Sequence, residues 1–368
     1  MVDVVVLHDA TVKVRLRATF ALAAATGVLM LAQSATGMLL PGLYRDQAFA
    51  LDAWRVNDPV TLLIAVPALF VSLALARRGS ARGFLVLLGV LQYAFYNYAF
   101  YLFGAALNVH FLLYVASFVA SAIGLIAGLT ALDAAAIGRS FSATTPVRLV
   151  AGYMGIWSAL LGVAWVGQWL AFAITGTVPE LGDEPFRLIA ALDLSFVVTP
   201  VGIGAVWLWS RRGWGFVIAV VMNVKGAIYA GLLAIGSLAG GPVADGGGDG
   251  LLGLWAFFTL GSVASLVLLL ANMRARLEGA EPEPGRTAGR GWQRRGRATA
   301  QHGLPFARRP ATRCPDELPL LPAPRRGDED RLRGRPGAVR AGRTVSRRAQ
   351  ALRADHPGSA RRDGVRLE

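Results

Sequence analysis

"GFVIAVVMNVKGAIYAGLLAIGSLA", residues 215–239, is a 25-residue stretch whose one charge is Lys225. A hydrocarbon slab of about 30 Å needs about 20 helical residues at about 1.5 Å each. The stretch is long enough to cross as a helix, and Lys225 then sits roughly 15 Å from the end at Gly215, near the midplane. The only other lysine is Lys13; arginine supplies every other basic side chain. An unpaired ammonium at that depth costs about 2.5–3.5 kcal/mol on insertion scales. Lys225 must therefore pair, snorkel, face water or give up its proton.

The same grammar, apolar blocks with short charged punctuation, repeats on both sides of this stretch. Eight blocks are spans: 18–40, 58–76, 84–104, 109–132, 149–175, 188–209, 215–239 and 251–272. The composition agrees, with 54% hydrophobic and 16% charged residues, where soluble domains carry about a quarter charged. The expected fold is an all-α polytopic membrane helix bundle with about eight transmembrane helices, residues 18–273, after a short N-terminal segment, 1–17. The first block follows Lys13, Arg15 and Arg17 as a signal sequence would. It is too long for an ordinary signal core and seven spans follow it, so it reads as a retained helix.

Arginine and lysine favour cytoplasmic loops. With the N-terminus inside, twelve basic residues fall on the inner side, against only Arg45, Arg55 and Arg187 outside. The outer loops also carry Asp46, Asp52, Glu180, Asp183, Glu184, Asp245 and Asp249. Both termini are expected in the cytoplasm.

The net charge of +14 belongs to the last part of the chain. Residues 274–368 hold 23 Arg against 11 acids, with few aromatics and no periodic apolar face. Such a segment cannot bury enough surface to offset its chain entropy, so a disordered cytoplasmic tail is expected. Its arginines would be drawn to anionic lipid. Without interleaved aromatics or a nucleic-acid-binding motif, specific nucleic-acid recognition is not expected. Arg/Pro/Gly/Ala-rich text without lysine is also what a GC-rich gene yields out of frame, so a non-native reading after about residue 279 is the competing explanation.

Spans two-three and six-seven run in parallel. "DPVTLLIAVPALFVSLALARRGSARGFLVLLGVLQY" begins at Asp58, and "DLSFVVTPVGIGAVWLWSRRGWGFVIAVVMNVK" begins at Asp193. Each has an acid, a mid-span proline (Pro67, Pro200), an Arg-Arg-Gly turn and a Gly-Phe pair. Tyr93 and Lys225 both fall ten residues after that last glycine. Two readings stand: a 4+4 parallel repeat of the kind some transporters use, or tight inner turns that converged on Arg-Arg-Gly. The prolines each remove a backbone donor and are expected to bend their helices.

The candidate site follows from depth. Asp193 lies about five residues inside span six and Lys225 mid-way along span seven, an axial offset of about 8–10 Å. A lysine stem can bridge that. Asn223 and Tyr229 flank Lys225, and Tyr229 is four residues on, so it shares its face. In span three, Tyr93, Tyr96, Asn97, Phe100 and Tyr101 keep the spacing of one helix face, with Phe95 and Tyr98 pointing elsewhere. These residues read either as a substrate-anion site or proton relay with a lined passage, or as packing, with Tyr98, Tyr101 and Phe103 as an aromatic belt. Gln33 and Gln168 are expected to bond across helices. His110 is the only histidine in the spans and reads as structural. The single cysteine, Cys314, excludes an intrachain disulfide. No Walker loop, nucleophile elbow or metal-ligand cluster is present, so neither a cofactor nor enzyme chemistry is expected.

The two Asp-to-Arg-Arg stretches and "YNYAFYLFGAALN" resemble a group of uncharacterised bacterial multi-pass membrane proteins, over about half of residues 40–240. That group has no assigned activity. The resemblance implies a bacterial inner-membrane fold with an Asp-to-Lys hairpin and nothing about substrate. The functional expectation is a small-solute or proton-linked transporter; the alternative is a structural or partner-binding membrane subunit whose buried polar residues only fix packing.

Overall fold

A computed structural model describes residues 10–40, 42–46, 48–238 and 250–273. The acidic glycine-rich loop after residue 239 and the tail, 274–368, lie outside the described residues, as do the expectations attached to them. The described chain is helical, with one isolated bridge, Phe141 to Met273. Among the described residues eight helices are long and apolar enough to cross a membrane, which fits a multi-pass membrane protein.

The eight are α1 (Ala10–Leu39), α2 with α3 (Ala48–Val60, Val66–Arg77), α4 (Ala81–Gly104), α5 (Phe111–Ala131), α7 (Val147–Thr175), α8 with α9 (Asp183–Asp193, Thr199–Trp209), α10 (Gly213–Leu238) and α11 (Gly250–Ala271), with the short α6 (Ala134–Ser140) between α5 and α7. Several begin before their apolar blocks do. The α2 turn that carries Asp52 and Arg55 is held by their 2.9 Å ion pair. Asp183 and Glu184 sit in the first turn of α8, where they complement the helix dipole. Hydropathy marks the greasy part of a helix and leaves out its wet ends.

The two mid-span prolines do not act as simple kinks. A single π turn, Thr61–Ala65, joins α2 to α3, and a second, Leu194–Val198, joins α8 to α9. In each, a backbone N–H reaches five residues back, Val66 to Thr61 and Thr199 to Leu194. A proline ring clashes with the carbonyl four residues before it. For Pro67 and Pro200 that carbonyl belongs to Leu63 and Phe196, inside the π turns, and the widened turn makes room. Both spans thus run acid, π turn, proline, a likeness of backbone as well as of sequence. The inner turns differ: Gly79 takes the left-handed conformation in the first, whereas Arg211 itself does so in the second, at φ 51°.

Helices α4 and α10 form the centre. Their most apolar windows are 78% and 72% buried, against 22% to 44% in the other six spans. The surrounding helices turn Leu63, Leu112, Val163 and Leu260 outward, as a lipid-facing surface requires. Central placement changes the reading of α4. Tyr98 and Tyr101 are fully buried rather than at a belt, and only Phe103 faces out.

Between the spans expected at 109–132 and 149–175 lies the short helix α6. Asp133 caps it, its carboxylate accepting from the backbone N–H groups of Ala135 and Ala136 at 2.9 and 3.0 Å. The Asp133→Ala variant is expected to lose about 1 kcal/mol, seen as a lower unfolding temperature in detergent. An unchanged midpoint would mean the cap contributes nothing.

The face that holds α6 also holds the two Arg-Arg turns and residue 273, and arginines lace its segments together. Arg211 donates to the carbonyls of Ser142, Ala143 and Thr145 at 3.4, 2.7 and 2.9 Å. Arg82 donates to the carbonyl of Met273, and Arg15 to that of Thr130. On the opposite face, with residues 42–46, 105–110 and 176–182, the described arginines make no such carbonyl bonds. That face opens into a cavity of about 980 Å³ lined by charged residues that include Arg45, Asp46, Asp183, Glu184 and Arg187.

Candidate functional site

Asp193 ends α8, immediately before the π turn, and is 8% exposed. Its carboxylate accepts from the Tyr96 hydroxyl on α4 at 2.6 Å and from the Trp165 indole N–H on α7 at 2.9 Å. Lys225, 3% exposed, does not touch it. Among the described residues, ion pairs within 4 Å occur only at Arg55–Asp52 and Arg187–Asp183. Instead the ammonium lies over two ring faces, 3.9 Å from the centroid of Tyr96 and 4.4 Å from that of Tyr229. The two rings meet edge to face at 4.8 Å.

Tyr96 therefore joins the two charges. Its ring faces the cation and its hydroxyl donates to the anion, so each contact polarises the phenol in the sense that favours the other. A desolvated cation–π contact is worth about 2 kcal/mol, and two of them offset much of the burial cost of the ammonium. The depth arithmetic brings Asp193 and Lys225 to one site; an intervening phenol replaces the direct pair.

A cavity of about 140 Å³ borders this cluster. Asp193, Asn57, Tyr96 and Tyr229 line it on one side, while Trp165, Phe100, Trp255 and aliphatic side chains supply the rest. Lys225 does not line it. Phe100 and Leu181 are shared with the large charged cavity, so the two spaces adjoin at those side chains.

The other expected residues divide. Tyr93 and Asn97 belong to a separate polar cluster around Asn57. Asn57 donates to Asn97 Oδ1 at 2.7 Å, while the Thr61 hydroxyl lies 3.0 Å from Asn57 Oδ1 and 2.7 Å from the Tyr93 hydroxyl. Asn223 bonds only its own helix, at the Ala219 carbonyl. Gln168, expected to cross between helices, likewise bonds back to Ala164 and is exposed.

Asp58 occupies in the first half the place that Asp193 occupies in the second, and it is filled differently. Gln33 Nε2 and the hydroxyls of Tyr44 and Tyr101 donate to it at 2.9, 2.6 and 2.8 Å. Gln33 here does bond across helices, and it accepts from Tyr98 at 3.0 Å. Burial, and then the charge of Asp58, push the Tyr44 phenol above its ordinary pKa, so it stays a donor. Asp58 is not on the wall of the 140 Å³ chamber. His110 meets Thr36 at 3.1 Å and Tyr114 edge-on, a packing role. Among the described residues no group of three His, Cys, Asp or Glu could hold a metal ion.

Trp165, Asn57 and Trp255 join the chamber without having been singled out by the sequence. Comparison with known proteins finds no family model, no curated protein and no solved structure that matches the chain.

Proposed function

We propose that the protein is a carrier of a small solute. The solute site is the chamber at Asp193, and the Asp193–Tyr96–Lys225 chain supplies the protonatable groups for proton coupling. One observation carries the reading: the charged cluster borders a chamber that adjoins, at Phe100 and Leu181, a wide cavity on one face, while arginines lace together the loops of the other. A packing role for the cluster calls for no chamber. Arginine bias supports a cytoplasmic position for the laced face, with both termini there. The geometry then corresponds to one state of an alternating-access cycle, open to the outside.

The reading is tested with a Leu233→Cys probe in the chamber, on a Cys314→Ser background that removes the only native thiol. A small membrane-impermeant methanethiosulfonate is expected to label the introduced thiol from the open face. Adding Arg211→Ala, which deletes three carbonyl contacts, is expected to raise labelling from the laced face severalfold. Labelling from one face only, whatever happens at Arg211, would favour a static structural subunit.

A further inference from the structure

Taking the chamber as the solute site of the proposed carrier, we propose that it selects small organic cations: a primary ammonium on a compact, preferably aromatic body. Three features of the chamber support that class.

The first is the sign of the wall. Asp193 lines the chamber, whereas Lys225 stands behind the rings of Tyr96 and Tyr229. Both carboxylate oxygens hold neutral donors, a phenol and an indole, and among the described residues no cation lies at ion-pair distance. Each oxygen has further lone-pair capacity, so an entering ammonium meets an anion that is hydrogen-bonded but not neutralised by contact. An entering carboxylate meets the same anion and is repelled.

The second is the lining. Trp165, Tyr96, Tyr229, Phe100 and Trp255 surround a small space, and aromatic walls are the usual recognition surface for ammonium groups. The protein already demonstrates the contact, because its own Lys225 ammonium rests on two of these rings.

The third is size. The chamber holds about 140 Å³, close to the ~150 Å³ apolar cavity that takes up benzene. A single ring fits, and Asp193 offers the anion where an amine would sit. Asp58 offers no comparable site, since its own half fills its oxygens with three donors.

The test uses three ligands of one shape and different charge: benzylammonium, benzyl alcohol and benzoate, titrated calorimetrically into the full chain in detergent. Benzylammonium is expected to bind at least tenfold more tightly than benzyl alcohol, and benzoate not at all. Asp193→Asn should remove that preference, bringing benzylammonium down to the alcohol. Leu233→Trp, which fills the chamber, should abolish binding of both. Tighter binding of benzoate than of benzylammonium, an unchanged preference in Asp193→Asn, insensitivity to Leu233→Trp, or no binding by any of the three overturns the proposal. If Asp193→Asn does not fold, the ligand series on the native chain and Leu233→Trp still decide. Charge-selective binding without two-sided labelling of the Leu233→Cys probe would leave this inference standing and remove the carrier reading. Two-sided labelling with preference for benzoate would do the reverse.

Discussion

Replacing Gly89 by leucine is expected to abolish the folded protein. A Cβ at that position would overlap the Val224 Cβ and lie 3.0 Å from the Val221 carbonyl oxygen. The second of these is helix backbone and cannot rotate away, so α4 and α10 would have to separate. Overpacking a tight contact costs about 1–3 kcal/mol and sometimes more, and here a whole side chain must enter between the two most buried helices. Small residues let membrane helices approach closely, because association there depends on packing rather than on apolar burial. The consequence extends to the site: Val224 precedes Lys225, and shifting α10 off α4 withdraws the ammonium from Tyr96. Gly152→Leu is the control, since a Cβ there meets nothing within 4 Å. Size-exclusion profiles and thermal unfolding in detergent should show Gly89→Leu aggregated or strongly destabilised and Gly152→Leu near the native protein. Equal stability of the two would mean the central helices do not touch at Gly89.

The eight crossings were legible because lipid allows few alternatives. A chain that must satisfy every backbone group internally crosses as a helix or a closed barrel, and blocks of about 20 apolar residues select the helix. The similar depth of Lys225 and Asp193 could be counted along two adjacent helices, but not the Tyr96 phenol that stands between them in place of a direct pair. Lateral position is not counted so easily. Trp165 on α7 bonds Asp193, but an indole inside an apolar block reads the same whether it faces lipid or protein. The aromatic-belt reading of Tyr98 and Tyr101 fails because a central helix has no outside, and its amphipathic stripe no longer tells which residues are buried. The π turns could not be foreseen from proline alone. Proline disturbs the carbonyl four residues back, and whether the helix kinks or widens depends on the neighbours that receive the freed groups. Asn57, beside Asp58 in sequence, ends on the chamber wall, while Asp58 turns into the cluster with Gln33, and a one-residue step of about 100° around the helix separates the two fates.

That divergence gives the second large effect. Asp58→Ala is expected to destabilise the protein by about 3 kcal/mol or more, since it strands the donors of Gln33, Tyr44 and Tyr101, and each buried unsatisfied group costs about 1–3 kcal/mol. Little relaxation is available to them. Tyr101 is stacked on Trp54 at 4.0 Å and on Tyr114 at 5.1 Å, so its hydroxyl is fixed in place. On α1, Gly37 packs so closely that a Cβ there would overlap Asp58 Oδ2, which leaves the carboxylate no room to be replaced by anything bulkier. The milder Tyr44→Phe removes one donor and leaves the acid with two, for an expected loss of about 1 kcal/mol. Neither side chain lines the chamber, so Tyr44→Phe should bind benzylammonium as the native chain does while unfolding at a lower temperature. The acid at 193 is expected to behave in the opposite way, with Asp193→Asn losing charge selection more than stability, because its neighbours include a chamber that can admit water. Thermal unfolding and calorimetry on the same preparations separate the two acids. Should Tyr44→Phe lose ligand binding with its stability intact, the first half is part of the solute site, and the division into a structural acid and a recognising acid is wrong.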